Sequence, residues 1–290
     1  MTISQLSPAK LNLFLHIIGR RADSYHLIES LFVKLKLADQ ISVTPDPRVQ
    51  CVVFQNGAPL DIPNNLALKA ALMLQQRHHI NKGALITIDK HIPMQAGLGG
   101  ASSNAATVLM MLNQLWELNL STAQLMQYGL ELGADVPFFL QPANMAFIYG
   151  IGEQILPIDD RAELQIPCLV IHPGIGISTQ EVYRQSVKSF DISILTKLKY
   201  NLEKKILDFI QGLVYKSKNS LYEPALLLHP SLAQMAEKIA SLDGCALLRM
   251  SGSGSAFFAF FETAEKMQKA EVYLRAGHKE WVVHGEILSV

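Results

Sequence analysis

Residues 93–106 read Pro-Met-Gln-Ala-Gly-Leu-Gly-Gly-Ala-Ser-Ser-Asn-Ala-Ala, with glycines at 97, 99 and 100. No other segment limits the fold so tightly. Glycine accepts left-handed backbone angles and lets a ligand come close to the main chain. Ahead of the glycines, Ala84 to Ile88 has the composition of a strand, and behind them Ser102 to about Trp116 has helical spacing. A helix that starts after such a loop turns its unpaired N–H groups and the positive end of its dipole into it. Ser102, Ser103 and Asn104 are suited to capping and add hydroxyl and amide donors. A glycine cluster alone is more readily a plain connection than a binding loop. The order strand, loop, capped helix favours an anion cradle, with phosphate as its occupant.

Two familiar phosphate loops are excluded. No Lys-Ser or Lys-Thr follows the glycines, so this is not a Walker A loop. Ser102 stands where a dinucleotide fingerprint needs Gly or Ala. The acid about twenty residues on, Glu117, sits in a helical pattern and does not end a second strand. A nicotinamide-dependent oxidoreductase is disfavoured on that ground.

The chain of 290 residues has room for one large domain or two ordinary ones, and 49% of it is hydrophobic, enough for a substantial core. Lys and Arg (25) balance Asp and Glu (25), and no basic block stands out, so nucleic acid is not an expected partner. Three widely spaced cysteines, Cys51, Cys168 and Cys245, suit a reducing compartment and argue against disulfides or a zinc site. No apolar run approaches the roughly 18 residues that span a membrane. Leu11 to Ile18, interrupted by Asn12 and His16, lacks a signal-peptide cleavage site. The expected location is cytoplasmic.

Along residues 9–17 polarity alternates. Leu11, Leu13, Leu15 and Ile17 face one way, and Lys10, Asn12, Phe14 and His16 the other. Such a strand either has a wet face or brings Lys10 and Asn12 to a polar cleft. A loop follows, Gly19 to Leu27, with Tyr25 and His26 adjacent. Two further strands are expected at 31–37 and 41–45, and Asn65 is placed to cap a helix from Leu66. A second helix is expected from Ser121 to Leu132. Beyond it Asp135 is the only charge in Leu132 to Leu140, as a cap ahead of Pro137 or as a base held beside a cation. The pattern loosens over 148–160, which marks a domain boundary. Past it come strand 168–172, helices across about 179–212, a helix from about Ser231, two strands around the Ser251–Ser255 turn, a helix 263–275 and a last strand. Extra helices aside, this is β-α-β-β-α-β, a ferredoxin-like plan. The turn is either a simple hairpin or a second set of backbone donors. No histidine pair has metal-ligand spacing.

Ser7-Pro8-Ala9-Lys10-Leu11-Asn12-Leu13, the 93–106 loop, Gly133-Ala134-Asp135-Val136-Pro137-Phe138 and the 249–261 segment together resemble the motifs of the GHMP small-molecule kinases over almost the whole chain. The opening motif followed by Arg21-Ala22-Asp23-x-Tyr25-His26 is similar to the branch that acts on a diphosphocytidyl methylerythritol in the non-mevalonate isoprenoid pathway. The resemblance implies a two-domain α/β (α+β) fold. Residues 1–155 would form an ATP-binding domain like ribosomal protein S5 domain 2, and 156–290 a ferredoxin-like domain closing the substrate cleft.

It further implies ATP with Mg²⁺, transfer of phosphate to the 2-hydroxyl of that cytidyl diphosphate sugar alcohol, and a monomer or weak dimer. A mevalonate- or homoserine-type kinase and a nucleotide-binding module without turnover are the competing readings. Asp135 matches the catalytic base and Lys10 the lysine beside it. Pro93, Met94, Gln95, Ala96, Gly97 and Leu98 match the first part of the ATP phosphate loop. Gly99, Gly100, Ala101, Ser102, Ser103 and Asn104 match the rest, with Asn65 and Lys90 near the nucleotide. Asn12, Tyr25, His26, Thr179 and Tyr183 match positions that hold the cytidyl substrate, Tyr25 and Tyr183 being expected to flank the cytosine. No residue set is singled out for Mg²⁺. Gln95 and Ala96 stand where relatives commonly carry glycine, Tyr183 where they often carry Phe, and Asn219 to Pro224 follows the family's Asn-Asp-Leu-Glu segment loosely.

Overall fold

A computed structural model describes residues 2–158, 165–186, 190–193, 212–278 and 281–289. Two compact units emerge, each discontinuous in sequence. The first comprises Met1–Lys10, Leu35–Met94 and Gly99–Pro142, the second Leu11–Lys34, Gln95–Leu98 and Ala143–Val290. Strands β1 (Ile3–Arg20) and β2 (His26–Asp46) contribute a segment to each. The two strands expected at 31–37 and 41–45 are one continuous β2. The break suggested by Ala38-Asp39-Gln40 does not occur, because Asp39 is fully buried with its carboxylate satisfied.

In the first unit, β5 (Gly83–Lys90) runs antiparallel to Gln40–Asp46 of β2 and parallel to β3 (Gln50–Gln55), whose edge carries the short β4 (Ala58–Pro59). Four helices accompany this sheet: α1 (Leu66–Arg77), α2 (Gly100–Leu115), α3 (Thr122–Leu132) and α4 (Val136–Leu140). Helix α2 packs against each of the other three. Residues 100–115 carry no charge, and nine of the sixteen are buried, as befits a helix enclosed on most sides. Asn65 caps α1 as expected, its Oδ1 accepting the Ala67 N–H at 2.9 Å. Ser121 and Gln124 form a reciprocal capping box on α3.

In the second unit, β6 (Met145–Gly150) lies antiparallel to Ile28–Val33 of β2 and to β7 (Gln154–Ile158). The pattern loosening at 148–160 coincides with the turn at 151–153 between β6 and β7, and residues 159–160 lie outside those described. Then follow β8 (Gln165–His172), α5 (Thr179–Gln185), α6 (Tyr222–Leu228), α7 (Ser231–Ala240), β9 (Cys245–Met250), β10 (Phe257–Phe261), α8 (Ala264–Gly277) and β11 (Val282–Ser289). Of the helices expected over 179–212, α5 supplies the start, and residues 187–189 and 194–211 lie outside those described. The second sheet has the order β11-β8-β10-β9 with every pair antiparallel, which is the ferredoxin-like arrangement. Phe257 to Phe261 is buried throughout, as an inner strand covered on both faces must be. No described helix is long and apolar enough to cross a membrane.

Candidate active site

Both faces of residues 9–17 are buried, so the polar side of this strand is not wet; Lys10 and Asn12 have protein partners, and His16 accepts the Lys218 N–H at Nε2 while its buried Nδ1 has no hydrogen-bond partner. Lys10 Nζ lies 3.4 Å from Asp135 Oδ2, although the two are far apart in sequence. Burial lowers the Lys10 pKa from its ordinary 10.5, while the Asp135 charge and hydrogen bond pull it back up. Asp135 stands at the start of α4, yet its side chain makes no capping bond there. The carboxylate is one-third exposed and directed at the ammonium, which disposes of the simple capping reading. The Lys10 stem packs on Gly99: a Cβ at that glycine would lie 3.0 Å from Lys10 Cγ and 2.9 Å from the Phe139 ring. An acid, an ammonium and the residue that opens α2 therefore share one corner of the first unit.

Helix α2 begins two residues earlier than expected, at Gly100, and its N-cap is Gly99 with φ of 70° and no side-chain bond. Ser102, Ser103 and Asn104 consequently lie inside the helix and do not cap it. Ser103 and Asn104 are buried, each 2.8 Å from the Ser7 hydroxyl. Asn65 spends both ends of its amide locally, Oδ1 on its cap and Nδ2 on Cys51 Sγ at 3.3 Å. Lys90 is buried and paired with Asp39. In the sequence, Ala38-Asp39-Gln40 reads as a break between two strands, which hides the part played by Asp39.

Along the loop, φ is positive at Gln95 (52°), Gly97 (73°) and Gly99 (70°) and at neither residue between them. Alternation of this kind turns successive N–H groups toward a common concavity, the geometry of an anion nest. Within the second unit, the Ser251–Ser255 turn fixes the orientation of these peptides. Ala256 N–H donates to Ala96 O at 3.0 Å, and Ser251 Oγ–H donates to Gly97 O at 3.1 Å. The two peptides are trans, so their N–H groups, those of Gly97 and Leu98, point away from the turn. The turn thus holds the loop by its carbonyls and leaves its amides for a ligand. Asn219, which the sequence reading left without a role, anchors the turn by donating to Met250 O and Gly252 O, both at 2.7 Å.

Of the residues matched to the cytidyl substrate, the Asn12 amide donates to Ser30 Oγ at 3.0 Å, and its backbone N–H donates to Ser251 Oγ. Thr179 Oγ1 is 2.7 Å from Ser253 Oγ. The Tyr183 ring stacks on His26, with centroids 5.2 Å apart and planes 26° apart, and Tyr25 is 60% exposed. Burial, assisted by the Arg20 charge, lowers the His26 pKa, so the ring is neutral near pH 7, and its buried Nε2 has no hydrogen-bond partner.

Residues 65–142 match the GHMP kinases N terminal domain, and residues 208–280 match the GHMP kinases C terminal domain. A 4-diphosphocytidyl-2-C-methyl-D-erythritol kinase from Nitrosococcus oceani is 39% identical over 260 residues, 88% of this chain and 85% of that one. One of the same name from Herminiimonas arsenicoxydans is 38% identical over 280 residues, 95% and 92% of the two chains. A crystal structure of 4-(cytidine 5′-diphospho)-2C-methyl-D-erythritol kinase superimposes with a TM-score of 0.80 at 32% identity, covering 99% of this chain and all of that one. With this extent of identity over nearly its whole length, the chain belongs to the 4-diphosphocytidyl-2-C-methyl-D-erythritol kinase family of the GHMP kinases.

Proposed function

We propose that the protein transfers the γ-phosphate of ATP to the 2-hydroxyl of 4-diphosphocytidyl-2-C-methyl-D-erythritol, with Asp135 as base and Lys10 as electrostatic partner. The observation that carries this reading is the 3.4 Å approach of Lys10 to Asp135 beside the glycine that opens α2. Asp135 accepts the hydroxyl proton as the oxygen attacks the γ-phosphorus, a P–O bond forms, and the bond to the β-phosphate oxygen breaks to release ADP. Lys10 offsets charge growing on the transferred group. The N-terminus of α2 receives the phosphates.

Among the described residues no three His, Cys, Asp or Glu side chains gather into a metal cage. Mg²⁺ would enter with the nucleotide, and Asp135 is the carboxylate beside Lys10 that would hold it. Bound there, it would neutralise phosphate charge. Residues 1–155 carry the nucleotide in this reading, and 156–290 form the ferredoxin-like part. A cytoplasmic monomer or weak dimer suits its three free cysteines.

ADP release measured across a panel of acceptors tests the assignment. The cytidyl diphosphate methylerythritol should be phosphorylated, with mevalonate and homoserine inert. Its uridine analogue should react at least about a hundredfold more slowly, because the polar groups that read cytosine are left unpaired. Equal rates for the two bases would remove the cytosine pocket from the argument.

The loop can be tested separately. A Cβ at Gly97 would sit 2.2 Å from Ser251 O, and its φ of 73° is strained for any other residue. Gly97→Ala should therefore weaken ADP binding by about tenfold, from roughly 1–2 kcal/mol of backbone strain alone. Calorimetric titration would read the change, and unaltered affinity would place the phosphates elsewhere.

A further inference from the structure

Asp39 takes no part in the reaction as described, yet it is a fully buried carboxylate, a costly thing to keep without a purpose. Both of its oxygens are turned on the end of β5. Oδ1 accepts the backbone N–H groups of His91 and Ile92, each at 2.8 Å, and Oδ2 accepts the Lys90 ammonium. His91 and Ile92 lie just past the last residue of β5, where the strand ladder no longer supplies acceptors for their amides. Lys90 Nζ in turn lies 3.4 Å from the point where a side chain on Gly100 would begin, and Ile92 packs at 3.1 Å from the same point. Gly100 is the first residue of α2. A cation at a helix N-terminus opposes the helix dipole, so the ammonium depends on a neighbouring carboxylate to stay there. One side chain therefore grips the chain as it enters the glycine loop and, through Lys90, braces the residue at which it leaves.

We infer that Asp39 is a positioning residue for nucleotide binding, holding both feet of the glycine loop through the amides of 91 and 92 and the ammonium of Lys90. The inference rests on the reading of that loop as the ATP phosphate cradle. It also gives buried Lys90 a part different from a direct contact, that of a strut between Asp39 and α2.

Asp39→Asn keeps the volume and one acceptor for the backbone amides while discarding the charge that holds Lys90. Lys90→Met and the double variant complete a cycle, with the double variant free of any lone buried charge should Asp39→Asn fail to fold. Each is titrated with ADP by calorimetry, and kcat, both KM values and the thermal midpoint are measured. Each single change should raise the ADP Kd and the ATP KM about tenfold, and the double variant should be no worse than the worse single, as expected for two groups acting through each other. The KM for the cytidyl substrate should stay within about twofold, and kcat at saturating ATP within about threefold.

ADP affinity within twofold of wild type in folded Asp39→Asn or in the folded double variant overturns the inference. So do fully additive losses, or equal loss in both KM values. The titration needs no turnover, so the two readings fail separately: wild-type protein that binds ADP but phosphorylates no acceptor overturns the reaction, and the variants still decide the role of Asp39.

Discussion

Asp135→Asn should lower kcat by about a thousandfold, equivalent to about 4 kcal/mol of transition-state stabilisation, with both KM values within about tenfold of wild type. The amide matches the carboxylate in shape but cannot take a proton. The local geometry makes the experiment clean. Because the Asp135 side chain makes no capping bond at the start of α4, its replacement does not remove a helix cap. What it does remove is the partner of buried Lys10, 3.4 Å away. The pKa of Lys10 is already lowered by burial, and the opposing contribution of Asp135 disappears with the substitution. Lys10 should then titrate lower still, and the thermal midpoint should drop as a buried ammonium loses its counter-charge. Steady-state ADP release gives the turnover. Near-normal turnover would take the base away from Asp135, whatever the distance to Lys10.

Much of this arrangement was legible in the sequence because it is carried by local chemistry. Asn65 before an apolar helical run and Ser121 three residues ahead of Gln124 have only one economical use, and both are caps. The β-α-β-β-α-β plan after residue 165 admits few sheets, and the observed order β11-β8-β10-β9 is the ferredoxin-like one. Lys10 and Asp135 stood out as charges in otherwise apolar runs. The misreadings arose where a side chain's partner lies far away in sequence. Asp39 resembled a break between two strands until its bonds to His91, Ile92 and Lys90 showed how a carboxylate can be buried in one.

Ser102, Ser103 and Asn104 looked like caps because capping preference is local. The helix instead starts at Gly100, where Gly99 supplies the left-handed turn, and Ser103 and Asn104 face Ser7. The part played by His26, next to Tyr25, is hidden for a similar reason. Nothing in the 19–27 segment reveals that His26, the neighbouring residue, is the one turned onto Tyr183.

Lys10→Met should lower kcat by about a hundredfold or more with both substrates saturating, the scale of removing one preorganised charge from a transition state. Methionine is the informative replacement. It retains the stem that packs on Gly99 and near Phe139 in a position that is 4% exposed, whereas alanine would add a cavity to the loss of charge. The wild-type pH profile carries the same information. Burial lowers the Lys10 pKa, so kcat/KM for the free enzyme should fall on an alkaline limb whose midpoint lies below 10.5. Bound phosphate favours the ammonium, so the corresponding limb in kcat should lie higher. Neither limb should survive in Lys10→Met. The effect on stability runs the other way. Between the lowered folded-state value and the ordinary one, the unfolded chain binds more protons than the folded chain, so this residue's contribution to stability rises with pH just where activity is being lost. Activity and stability measured over the same alkaline range should therefore diverge in wild type, and Lys10→Met should lack both the Lys10 activity limb and its share of the stability rise. A variant that changed only the KM for ATP, with kcat intact, would make Lys10 a nucleotide clamp and leave Asp135 to act without it.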